Sequence, residues 1–157
     1  MSDHLIVAAI SAYLATLGFA ILFNIRGAKL WAAAAGGSIG GFAYVFLVKQ
    51  GMGAVMALFL AAVLFSLYSE ICARYYRTPV TTFVICALLP LVPGGGMYET
   101  MVEVLQGDID QALKIGLDTL SKAGALALGI VVVSTLTRLY FGLKEKHHRR
   151  IKAHEKC

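Results

Sequence analysis

An all-α polytopic membrane protein is the fold this sequence predicts: about five transmembrane helices, the fourth interrupted by a Pro/Gly break, plus a short amphipathic helix. Three observations carry the prediction. Of 157 residues, 59% are hydrophobic and only 15% charged, and mean hydropathy is +0.75. A soluble domain of this size cannot bury so many apolar side chains, so lipid must solvate part of the surface. The apolar residues also fall into runs near the roughly 20 residues that a bilayer core requires. Finally, Pro90-Leu-Val-Pro-Gly-Gly-Gly96 cuts one such run. Proline lacks the backbone donor and clashes with the preceding turn, so Pro90 and Pro93 kink or stop a helix, and the glycines are expected to open the backbone.

The first run is Leu5–Phe23. Asp3 stands where a cleaved signal peptide carries Lys or Arg, so the run is expected to be a retained helix. The second is Leu30–Val48. Within it Gly36, Gly37, Gly40 and Gly41 form two overlapping GxxxG steps, which read first as close helix packing and second as the lining of a narrow path. Gly53–Cys72 is the third. Glu70 and Arg74 lie one turn apart at its end, where a local ion pair is preferred and proton coupling through Glu70 is the alternative. The fourth, Thr78–Val92, is shortened by the break, and the fifth is Ala123–Phe141.

Between the last two lies a polar segment. Met97, Met101, Val104 and Leu105 share one helical face and Glu99, Glu103 and Gln106 another, which predicts a short amphipathic helix. Gly107-Asp108 reads as a turn and N-cap. Asp110, Lys114, Asp118 and Lys122 then recur every four residues with alternating sign, opposite Ile109, Leu113, Leu117 and Leu120. This second helix is expected to run on into the fifth crossing.

Eleven of the 14 Lys and Arg residues follow the first and third helices or end and follow the fifth. Lys49, Lys114 and Lys122 are the other three. The excess of basic residues marks the cytoplasmic side, so the amino terminus is expected outside and the carboxyl terminus inside. Residues 1–143 are then one transmembrane domain and 144–157 a basic cytoplasmic tail.

Several function classes are excluded. The net charge of +5 gathers at helix ends, with no aromatic-basic platform, so no nucleic acid is expected. Cys72, Cys86 and Cys157 have no zinc or CxxC spacing, His147 and His148 are adjacent in the basic tail, and no metal or cofactor is expected. No P-loop and no Ser/His/Asp or Cys/His arrangement occurs, which argues against an ATPase and against an enzyme.

Interrupted membrane helices commonly mark transport sites, because a freed backbone is tolerated only beside protein or a water-filled cavity. The candidates for a substrate path are therefore Pro90, Pro93, Gly94, Gly95, Gly96, Tyr98 and Glu99. Asn24, at the end of the first helix, is a candidate too, with a C-cap as the equal alternative. Lys122 is a further candidate, ranked below its role as the partner of Asp118. The amino end of a half-helix after the break would attract a carboxylate through its free N–H groups and dipole. The competing reading makes the break a surface exit loop.

Leu17-Gly-Phe-Ala-Ile-Leu-Phe-Asn24, then Gly37-Ser-Ile-Gly40, then Leu89-Pro-Leu-Val-Pro-Gly94 with Tyr98 resemble the threonine/serine exporter family over nearly the whole chain. The resemblance is to the carboxyl-terminal half of those exporters. That half also occurs as a separate short protein, the small subunit of a two-component system implicated in succinate export. The resemblance implies a bacterial plasma (inner) membrane protein that exports a small carboxylate, a threonine/serine-type amino acid or a succinate-type dicarboxylate. It also implies a larger partner subunit, with self-association and lipid as further contacts. The alternative is a membrane subunit that only stabilises or targets that partner. Gly95-Gly96 makes the break looser than the motif requires, and Asp110–Lys122 matches no signature of the family.

Overall fold

The computed structural model describes residues 3–154, with side chains over 5–140. Six helices follow one another: α1 (Asp3–Leu22), α2 (Ala28–Lys49), α3 (Ala54–Tyr75), α4 (Val80–Leu88), α5 (Gly94–Gln106) and α6 (Ile109–His154). A 3-10 turn, Leu89–Leu91, ends α4. Among the described residues there is no strand.

The turns are built alike. After α1, Asn24 adopts φ 57°, its N–H reaches the Ile21 carbonyl and the Ile25 N–H reaches Ala20. This double bond over a left-handed residue satisfies the last carbonyls of a helix. Gly51, Arg77 and Gly107 do the same after α2, α3 and α5, with φ of 85°, 49° and 86°. Asp108 caps α6 as the sequence predicts, its Oδ1 accepting from the Gln111 N–H at 3.0 Å.

Packing is close because the contacts are small. Buried side chains include Ala20, Ala33, Ala34, Ala57, Ala61, Ala62, Ala73 and Ala87, with Phe65 and Phe83 as the large members. The two glycine steps of α2 face different partners. A Cβ on Gly37 would strike the Thr16 side chain and one on Gly41 would lie 2.6 Å from the Ala12 Cβ, both on α1. At Gly36 a Cβ would meet Tyr68 of α3 and Ala87 of α4, and at Gly40 it would meet Phe65 and Leu91. All four glycines thus lie where α2 meets a neighbouring helix or turn. Further along, α6 meets α3 at Gly129, where a Cβ would lie 2.6 Å from Ala62 and 2.9 Å from the Phe59 carbonyl. Outward faces carry Leu14, Trp31, Ile71, Leu128 and Val131, all more than half exposed, as a lipid-solvated bundle requires.

Four helices are long and apolar enough to cross a bilayer, five when the bent pair Val80–Leu91 and Gly94–Gln106 is one span. The bend is 49°. At 1.5 Å per residue the first arm is about 18 Å long, and the second adds about 13 Å along the same direction, together near the ~30 Å hydrocarbon thickness. As one span, the bent pair would take in both the predicted Thr78–Val92 run and the amphipathic helix. That helix starts at Gly94, not after the glycines. α6 runs from Ile109 without a break, as expected, and its backbone passes residue 144 to His154. The side chains of the tail, His147, His148 and Cys157 included, lie outside the described residues.

Candidate functional site

The break is not open glycine backbone, and the 3-10 turn before it packs inside the bundle. Leu91 is buried and packs where a Cβ of Gly40 would lie, beside Phe65. Gly40 is nine residues from the end of α2 and Phe65 eleven from the start of α3, so about 14–17 Å of helix separates each from that helix end. The interruption that follows this buried 3-10 turn is itself exposed at Val92, Gly94 and Gly95. It is carried by Val92 (φ −59°, ψ 130°) and Pro93 (φ −75°, ψ 58°). Gly94, Gly95 and Gly96 form the first turn of α5 and none has a positive φ, which corrects the expectation that they open the backbone. Their smallness matters in other ways. A Cβ on Gly96 would strike Thr119 Oγ1 of α6, whereas one on Gly94 or Gly95 would meet nothing within 4 Å.

A cleft of about 610 Å³ lies against the break. α1 supplies Ala8, Ser11, Ala12 and Ala15, α2 supplies Gly41, Tyr44 and Val45, and α3 supplies Leu58. Pro90, Leu91, Val92 and Pro93 line it, as do Gly95 and Gly96 at the start of α5 and Lys122 of α6. Ala8 and Leu58 stand near the starts of α1 and α3 and Val45 near the end of α2, so the cleft occupies one half of the membrane's thickness.

The polar groups of the cleft are the amino end of α5 and one paired lysine. The Gly94 N–H is given to the Val92 carbonyl at 2.7 Å and the Met97 N–H to Pro93 at 3.3 Å, and no side chain caps α5. As first-turn donors, Gly95 and Gly96 have no intrahelical carbonyl to reach, and the positive end of the helix dipole lies with them. Lys122 is the one charged side chain of the lining. It pairs with Asp118 one turn earlier, with side-chain exposures of 26% and 54%. Tyr44 and Glu99 are within electrostatic range of it. A second groove of about 490 Å³, along Ser38, Ile39, Phe42, Phe46 and Leu64, has no charged lining.

The structure brings Pro90, Pro93, Gly95, Gly96 and Lys122 together and leaves other candidates apart. Gly94 adjoins the cleft without lining it. Tyr98 is 72% exposed; neither it nor Glu99 lines the cleft, although the Glu99 carboxylate is within electrostatic range of Lys122. Asn24 is a helix terminator whose Oδ1 accepts from Arg26 Nε at 2.9 Å, at the opposite end of α1 from Ala8. Glu70 is buried and bonded to Arg74 at 3.2 Å, the local pair expected, near the far end of α3. Among the described residues no group of His, Cys, Asp or Glu can hold a metal. The residues that sequence reasoning missed are Tyr44 and Ser11. Tyr44 was within reach, because it follows Gly41 by three residues and shares its face. Ser11 carried no signal of its own.

Stacked close-packed helices, lipid-facing apolar surfaces and a polar cleft at a broken crossing define a multi-pass membrane protein of transport type. The family model described as "Threonine/Serine exporter, ThrE" matches residues 8–136. The chain belongs to the threonine/serine exporter family. No solved structure matches it.

Proposed function

We propose that the chain is a membrane subunit of an exporter of small carboxylates, and that it acts with a larger partner subunit of the same family. The observation that carries this reading is the cleft, where a helix start and one lysine converge on a space large enough for a small amino acid. A carboxylate of threonine, serine or succinate would meet the Gly95 and Gly96 N–H groups and the Lys122 ammonium. The Lys and Arg distribution supports a bacterial inner membrane orientation with the amino terminus outside, which puts the cleft in the outer half. Residues 1–143 are then the single exporter domain and 144–157 its cytoplasmic tail. Without a nucleotide site, a proton or substrate gradient is the driving force.

The surface of α5 and early α6 supports a partner. Ile109–Tyr140 is about 48 Å long, and even at a 40° tilt it stands about 37 Å tall, more than the hydrocarbon core. Met101, Leu105, Ile109, Leu113 and Leu117 are all more than half exposed there, an apolar surface suited to a second subunit. Inverted membrane vesicles carrying the chain with and without its partner test both statements. Uptake of labelled threonine, serine or succinate is expected only with both. Uptake by the partner alone at the full rate would reduce this chain to a stabilising role.

A further inference from the structure

We infer that Asp118 is a built-in competitor for the substrate carboxylate, and that Lys122 exchanges between the two. The inference rests on the cleft being the substrate path. Lys122 lines the cleft, but its ammonium is bonded to Asp118, which is not part of the lining and is 54% exposed at its side chain. The lysine thus stands between two places for an anion, one inside the cleft and one on the outer face of the same helix turn. Because Asp118 is one turn away on a rigid helix, its carboxylate is always present at high local concentration. Because the pair is half-exposed, it is weak and exchanges readily. An empty cleft therefore holds a neutralised lysine, and an arriving carboxylate takes the ammonium from Asp118. When the carboxylate leaves, Asp118 recloses the pair and hinders rebinding, which suits a site that must release its cargo outward. Gly96 seated against Thr119 fixes the start of α5 one residue from Asp118, so both anion positions keep their distance from the helix start.

Competition in inverted vesicles tests this, with L-threonine and L-threoninol, which lacks the carboxylate, as inhibitors of labelled threonine uptake. Asp118→Asn is expected to lower the threonine inhibition constant about two-fold, the size of an exposed one-turn pair, with threoninol unchanged. Lys122→Gln is expected to lose about ten-fold of the preference for threonine over threoninol. The double variant should match Lys122→Gln alone, since Asp118 acts only through the lysine. Unchanged discrimination in Lys122→Gln overturns the inference, as does an Asp118→Asn effect that persists in the double variant. Gly95→Val separates this from the parent reading. If it transports normally, the cleft is not the path. If it blocks transport while Asp118→Asn behaves as the parent protein, only the exchange is wrong.

Discussion

Valine substitutions at Gly94, Gly95 and Gly96 separate the three roles that one run of glycines plays. All three residues are helical with ordinary φ, so none is needed for an unusual backbone. At Gly94 and Gly95 the new Cβ meets open space, and replacing glycine by valine in a helix gains a few tenths of a kcal/mol. Membrane abundance and thermal stability should hold for both. Gly95 lines the cleft and Gly94 does not, so on the proposed reading the valine at 95 enters the substrate's space. Overpacking a fitted site costs about 1–3 kcal/mol, which weakens binding roughly 5- to 150-fold. Gly96→Val forces its Cβ into Thr119 Oγ1, and that hydroxyl is already bonded to the Ile115 carbonyl at 2.7 Å. A similar penalty then falls on α5–α6 packing, so this variant loses stability as well. The assay is threonine and serine efflux from cells at matched membrane abundance, with melting of the purified variants beside it. The expected order is near-normal efflux for Gly94→Val, strongly reduced efflux with normal melting for Gly95→Val, and loss of both for Gly96→Val. Equal efflux from the 94 and 95 variants would refute the assignment of the cleft.

Gly37→Ala collides with Thr16 and should destabilise the α1–α2 contact by about 1–3 kcal/mol, whereas Gly18→Ala meets no neighbour and should gain about 1 kcal/mol; thermal melting in mild detergent reads both. Arg77 holds φ 49° in a region that costs a non-glycine residue about 1–2 kcal/mol, so Arg77→Gly should raise the melting temperature, and a fall would show that the arginine side chain outweighs its backbone. For topology, a membrane-impermeant thiol reagent should label Gly107→Cys but not Cys157 on intact cells, while Cys72 and Cys86, both buried, stay silent; labelling of Cys157 from outside would invert the orientation.

The crossings were legible because hydropathy alone decides whether a run of about 20 residues can leave water. The Gly107-Asp108 cap, the continuous α6 and the Glu70–Arg74 and Asp118–Lys122 pairs were legible because each depends on residues four or fewer apart. What was not legible is tertiary. No local rule says that Gly94–Gly96 stay helical, since glycine tolerates helix and loop alike, and their conformation follows from Gly96 meeting Thr119 across α5 and α6. Nor does sequence place Leu91 beside Gly40 and Phe65, which is what buries the 3-10 turn before the break. Asn24 had two equal explanations, and its left-handed φ chooses the cap. Tyr98 and Glu99 adjoin the break in sequence, but neither lines the cleft, and Glu99 acts only through its charge on Lys122.

The contact at Gly129 makes α6 a lever. Its backbone lies against the Phe59 carbonyl and Ala62 with no side chain between them, so α6 can rock there more easily than it can slide. Lys122 is seven residues to one side, about 10 Å, and Arg138 nine residues to the other, about 14 Å. A tilt of 10° about this fulcrum carries the lysine about 2 Å across the cleft mouth and the arginine a slightly greater distance the opposite way. A displacement at one end of α6 would thereby be returned, inverted, at the other, and whatever draws Lys122 inward would be felt at Arg138 on the far side of the fulcrum.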